Sequence, residues 1–258
     1  MKWSHEDKNL LINKFETSSR EELEKLFPDN SWESIKRKAS RLNLEPKGTL
    51  CRKDSVNVNH SFFESPNELN SYWAGFIAAD GCITRETRVQ ISINKIDEPH
   101  LKRFLEDTEA ESNITYGKDN TVRVSIPSSK WTNDLKENFN IGPRKSLTLE
   151  PPKGLSKKQS LAYITGYIDG DGCWRYGAQS KTGKWKYIVL EVVGTNSFLS
   201  WMADRLEGNS SIRKVENYYV LSSSCMNAFK TYIQLWNPEL PILDRKWNKN
   251  YKVWNPRN

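Results

Sequence analysis

The chain has 258 residues, in which 39 Lys and Arg outweigh 32 Asp and Glu for a formal net charge of +7, a length that holds one large core or two unequal domains. The modest basic excess suits a nucleic-acid partner. The cysteines (Cys51, Cys82, Cys173 and Cys225) lack the spacing of a structural zinc or a disulfide framework, and no uncharged stretch approaches the ~18 residues of a membrane span, so a soluble, intracellular protein of a reducing compartment is expected.

Residues 1–44 read as a small helical domain. Ser4 with Asp7 caps a first helix carrying Leu10, Leu11 and Phe15. Ser19-x-x-Glu22 forms a capping box for a second helix through Leu23, Leu26 and Phe27, ended by Pro28 and Asp29-Asn30. A third runs from about Trp32 to Leu42, with Trp32, Ile35, Ala39 and Leu42 at helical spacing and Lys36, Arg37, Lys38 and Arg41 on its other faces. Short helices around an aromatic core, the last one basic, describe a helix-turn-helix that can enter a DNA major groove. Lys36, Lys38 and Arg41 are then candidates for base or phosphate contacts. With Trp3 and Trp32 in core places and Ser31 to Ala39 opening the third helix, this segment resembles a Myb or SANT repeat.

Residues 45–67 have no usable periodicity and are expected to form an extended linker. Arg52 and Lys53 can follow a phosphate backbone there, and Phe62-Phe63 should dock on the larger domain.

Residues 68–150 begin with an apolar helix ending at Asp80-Gly81. Cys82 to Arg85 and Arg88 to Ile93 alternate in character and read as a hairpin through Glu86-Thr87, with Ile83, Val89, Ile91 and Ile93 inward and Arg85, Arg88, Gln90 and Ser92 outward. Asp97-Glu98-Pro99 caps a helix with Leu101, Phe104 and Leu105 on one side. A second hairpin, Asn113 to Tyr116 and Thr121 to Ile126, precedes a helix started by Ser128 or Ser129 and carrying Trp131, Leu135 and Phe139. The order is αββαββα. A four-stranded antiparallel sheet covered on one face leaves Arg85, Arg88, Gln90 and Arg123 exposed on the other, where Arg and Gln can contact G and A.

Residues 151–258 repeat the order. A helix over 160–170 is followed by strands near Cys173 to Gln179 and Lys184 to Val193, and a helix after Asn196 carries Phe198, Met202 and Leu206. A hairpin over about 211–223 leads to a last helix holding Met226, Phe229, Ile233 and Trp236. Arg175, Gln179, Lys184 and Lys186, then Arg213 and Lys214, are the groove candidates; the longer first hairpin implies unequal half-sites. Lys249, Lys252 and Arg257 make a basic tail.

The two halves share a duplicated stretch: Asn70 to Gly81 recurs 91 residues later as Leu161 to Gly172. Small residues four apart, Gly75/Ala79 and Gly166/Gly170, share a helix face and let two helices pack closely. That contact brings Asp80 and Asp171 together at its foot, each followed by a Gly suited to a helix exit with positive φ. Two carboxylates at negative dipole ends need compensation, which hard divalent cations such as magnesium supply.

Both stretches resemble the signature of LAGLIDADG homing endonucleases in the two-repeat, single-chain form. The second is close (Ile164-Thr165-Gly166-Tyr167-Ile168-Asp169-Gly170-Asp171-Gly172), whereas the first has Trp73 in the leading Leu place and Ala78 in the first Asp place, a position that serves helix packing or capping. The resemblance implies an α+β saddle of two pseudo-symmetric repeats, after the N-terminal three-helix domain. It also implies a monomeric enzyme that hydrolyses one phosphodiester on each strand of a long, nearly palindromic double-stranded DNA. Asp80 and Asp171, with the carbonyls of Ala79 and Gly170, would hold Mg²⁺, with Mn²⁺ as a substitute. Lys145 and Lys246, or Arg144 and Arg245 beside them, would stand near the scissile phosphates, and Gln90 and Glu191 would hold the water network, their register uncertain by one residue. An intron-encoded RNA maturase or a non-cleaving DNA-binding regulator is the alternative. The cytoplasm or nucleoid of a bacterial or phage-infected cell, or an organelle, is the expected location.

Overall fold

Two blocks of secondary structure in the same order fill most of the chain in the computed structural model, which describes residues 3–15, 18, 20–42, 44, 56–84, 87–178 and 186–247. Contacts divide the chain into a unit Met1–Asp54 and a unit Ser55–Asn258.

The first unit holds helices α1 (His5–Lys14), α2 (Arg20–Leu26) and α3 (Trp32–Arg41). Ser4 and Asp7 close a capping box on α1, each side chain bonding the other's backbone N–H at 3.0 Å, and Ser31 caps α3. Leu11, Phe15, Leu23, Phe27, Ile35 and Ala39 form the core, with Trp3 tilted on Phe27. Leu10 and Leu26, expected inside, are exposed because Leu11 and Leu23 take the inward positions. The capping box expected at Ser19 lies outside the described residues.

In the second unit, residues 56–67 lie on the fold instead of running free. Val58 and Phe63 are buried, Asn59 N–H donates to Thr108 O, and the Trp131 indole N–H donates to Asn59 O at 2.9 Å. Helix α4 (Glu68–Asp80) leads to β1 (Gly81–Thr84), β2 (Arg88–Asn94), α5 (Glu98–Asp107), β3 (Thr115–Tyr116), β4 (Thr121–Pro127) and α6 (Ser129–Phe139). The same order recurs in α7 (Lys157–Asp171), β5 (Gly172–Ala178), β6 (Lys186–Gly194), α8 (Asn196–Ala203), β7 (Ser211–Val215), β8 (Tyr218–Ser224) and α9 (Cys225–Leu235). Each half forms a four-stranded antiparallel sheet, ordered β1-β2-β4-β3 and β5-β6-β8-β7. Alternation drives one face inward: Val89, Ile91, Ile93, Val122, Val124 and Ile126 are buried while Arg88, Gln90, Ser92, Thr121, Arg123 and Ser125 are not. One core cluster runs through both halves, and the α4–α7 contact lies within it.

Several expectations are corrected. Gly81 and Gly172 are extended (φ −87° and −88°) rather than left-handed. They are glycine for lack of room: a Cβ would lie 2.8 Å from Ile77 O in one and 2.6 Å from Ile168 O in the other. Asp97 occupies the cap position of α5 without bonding it, because its carboxylate is taken by Arg245. Leu206 lies beyond the end of α8 at Ala203. In α9 the buried stripe is Ala228, Thr231, Tyr232 and Leu235, leaving Met226, Ile233 and Trp236 exposed; two interleaved apolar stripes share that helix, and packing selects the one that carries Tyr232.

Candidate metal and nucleic-acid site

The site begins with a helix contact too close for side chains. A Cβ on Gly75 would fall 1.9 Å from Tyr163 O, and one on Gly166 the same distance from Tyr72 O; Gly170 faces the Ala79 methyl. The backbones of α4 and α7 therefore touch, and their C-terminal ends bring Asp80 and Asp171 together. Both residues are exposed at the surface, yet the atoms around them desolvate their carboxyl groups in part. Burial, then repulsion from Asp171, pushes Asp80 up to about 6, with Lys246 and Lys145 partly opposing. Burial also raises Asp171, opposed by Lys145, Lys246 and the nearby Tyr167 hydroxyl, which itself donates to Val193 O at 3.0 Å.

The two lysines cap the helices that carry the carboxylates. Lys145 Nζ donates to Ala79 O at 2.9 Å, and Lys246 Nζ lies within 3.0 Å of the carbonyls of Ile168, Asp169, Gly170 and Gly172. Ammonium groups at these carbonyls, gathered at the C-terminal ends of α4 and α7, offset the negative dipole ends. Burial lowers the pKa of both, against the pull of the carboxylates. Arg144 turns the chain into Lys145 with a left-handed φ of 59° and is itself exposed. Its counterpart Arg245 reaches across the halves and grips Asp97 through bonds of 2.6 and 2.7 Å, a pair 148 residues apart that no local pattern announces.

These residues fit a hard divalent cation. Two crowded carboxylates with raised pKa hold charge that a cation would relieve, and the Ala79 and Gly170 carbonyls, already bonded to lysine, each keep a second lone pair. The acidic donors number two, since no cluster of three or more His, Cys, Asp or Glu suited to a metal occurs among the described residues. His100 is no competitor: burial pushes it down to about 3, and it packs against Phe76.

The register places the other candidates. Gln90 pairs with Cys82 and Ser125, and Glu191 pairs with Cys173 and Ser222, so the two hold equivalent addresses on outward faces. Glu191 is bound by Arg175 at 2.7 Å and approached by Arg213 at 3.8 Å. On the first sheet Arg88, Gln90 and Arg123 share the outer face, Arg88 bonding Ser125 Oγ at 3.2 Å. Arg213 pairs with Val220 and Lys214 with Tyr219, so these neighbours point to opposite faces and Lys214 does not share the Glu191 face. The Lys186 backbone pairs with Ala178; its side chain, with Arg52, Lys53, Arg85, Gln179, Lys184 and the tail Lys249, Lys252 and Arg257, lies outside the described residues. In the first unit, Lys36 is paired with Glu33 at 2.7 Å, while Lys38 and Arg41 line an open groove with Lys8 and Arg37.

No family model and no curated protein matches the chain. Solved structures do. The LAGLIDADG meganuclease I-AabMI bound to uncleaved DNA is similar with a TM-score of 0.50 and 15% identity, over 72% of this chain and 88% of that one. I-CpaMI bound to uncleaved DNA gives 0.50 and 13% over 73% and 90%, and I-SmaMI bound to uncleaveable DNA gives 0.51 and 13% over 72% and 87%. At such identities the likeness is one of fold: a helix pair between two four-stranded sheets.

Proposed function

We propose that this chain, whose second unit has the two-repeat LAGLIDADG fold, is a site-specific DNA endonuclease making a metal-dependent double-strand break in a long, pseudo-palindromic target. The observation that carries this reading is the pair Asp80 and Asp171, crowded at the foot of the α4–α7 contact. The solved structures of the same fold are named as DNA complexes, which supports the choice of partner.

Asp80 and Asp171, with the second lone pairs of the Ala79 and Gly170 carbonyls, would hold magnesium, or manganese in its place. Bound there, the metal lowers the pKa of an attacking water and stabilises charge at the phosphate. Lys145 and Lys246 keep the helix ends and their carboxylates in place and add positive charge beside the phosphates. Gln90 and Glu191 offer an amide and a carboxylate for ordering water, the latter oriented by Arg175. Outward Arg88, Gln90, Arg123, Arg175 and Arg213 would lie along the major groove, and Lys38 and Arg41 of the first unit would add base or phosphate contacts of their own. Incubating the protein with a library of randomised duplexes in magnesium or in EDTA tests the proposal. Magnesium-dependent, sequence-selected double-strand ends support it, whereas binding to intron RNA without DNA cleavage would favour the maturase role.

A further inference from the structure

The shared register lets the two sheet faces be compared position by position. Starting from Gln90 and Glu191, Arg88 corresponds to Val189 and Ser92 to Val193; on the neighbouring strand Arg123, opposite Ser92, corresponds to Val220, opposite Val193. At three equivalent places the first sheet is polar and the second carries valine. Two of these valines reach solvent: Val193 is 40% exposed and Val189 is half-buried, and neither joins the cluster that fills the interior, whereas Val220 is buried beneath the same face. They lie on the face of Glu191, while Ile188, Leu190 and Val192 point the other way and are buried.

Charge frames this apolar strip. Arg175 stands opposite Val189 and Arg213 opposite Val220, both guanidinium groups turned to the Glu191 carboxylate between them. An apolar strip bordered by arginine fits a polyanion that offers apolar groups at fixed places. In the DNA major groove the apolar group is the C5-methyl of thymine.

Resting on the DNA reading above, we infer that the second sheet reads thymine methyl groups through Val189 and Val193, while the first sheet reads hydrogen-bonding base edges through Arg88, Gln90 and Arg123. The two half-sites then differ in kind as well as in length: one demands thymine methyls, the other G and A edges.

The test selects duplexes bound by the full chain from a pool with a randomised centre, in magnesium-free buffer so that binding alone is read. Affinity is then measured on the selected duplex with uracil replacing thymine in one half or the other, which removes the methyl and keeps the pairing. Loss of about fourfold per methyl is expected in one half, with a change under about twofold in the other. Val189→Thr and Val193→Thr, which keep the β-branched shape, should abolish the distinction between thymine and uracil while the thermal midpoint shows the variants folded. Equal sensitivity of both halves, or an unchanged thymine-to-uracil ratio in folded variants, overturns the inference and leaves the DNA reading standing. A pool that yields no enriched sequence overturns both.

Discussion

Tyr72 on α4 donates its hydroxyl to Asp169 on α7 across 2.6 Å. The same buried carboxylate accepts the Trp247 indole N–H and the Leu243 backbone N–H, fastening the segment that delivers Lys246. The duplicated stretch repeats the tyrosine as Tyr163, but Ala78 stands where Asp169 does, and the buried Tyr163 hydroxyl has no partner among the described residues. The halves therefore hold their lysines unequally.

This inequality predicts opposite outcomes for one chemical change. Tyr72→Phe removes a bond to a buried carboxylate and should cost about 1.5–3 kcal/mol in urea unfolding, whereas Tyr163→Phe removes an unsatisfied hydroxyl and should be neutral or stabilising. Equal losses would contradict the account.

The lysines should separate in the same way. Lys246→Met strips the cap from four carbonyls and should lower both the melting temperature and cleavage. Lys145→Met breaks one bond, so its melting temperature should fall by less while its cleavage rate still drops. Paired melts and cleavage assays measure the difference.

Asp80 sets a pH dependence. Its folded pKa of about 6 exceeds the ordinary 3.8, so the folded, metal-free protein binds the proton more tightly than the unfolded chain. Its contribution to stability is complete below pH 3.8 and is lost as pH rises through about 6. In EDTA, the wild type should therefore lose stability relative to Asp80→Asn between pH 4 and pH 7, and magnesium affinity should weaken below about pH 6, where the carboxylate is protonated. A pH-independent difference between the two proteins would exclude the crowded pair.

Gly166→Ala should fail where most Gly→Ala changes in helices stabilise. Its methyl would meet Tyr72 O at 1.9 Å, backbone against backbone, so the cost should exceed the ~1–3 kcal/mol of ordinary overpacking. Thermal melting measures it, and a loss below 1 kcal/mol would mean the helices are farther apart.

The helix contact, the order of elements and the inward strand residues were legible because each rests on a local period: small residues four apart, or apolar residues alternating. The Gln90 and Glu191 registers were not, since pairing depends on a partner strand and shifts by one residue unnoticed in the sequence. The wrong stripe on α9 had the same origin, two apolar faces with only packing to choose between them. Arg245 to Asp97 and the Asp169 network were invisible because their partners are 148 and about 74–97 residues apart.

The central claim is that Asp80 and Asp171 together hold the metal that cuts DNA. Its most direct test is strand cleavage of a selected duplex by Asp171→Asn in magnesium, with binding measured on the same duplex. The account predicts binding within about threefold of wild type (under 1 kcal/mol) and no double-strand break. A variant that cuts both strands at the wild-type rate would contradict it.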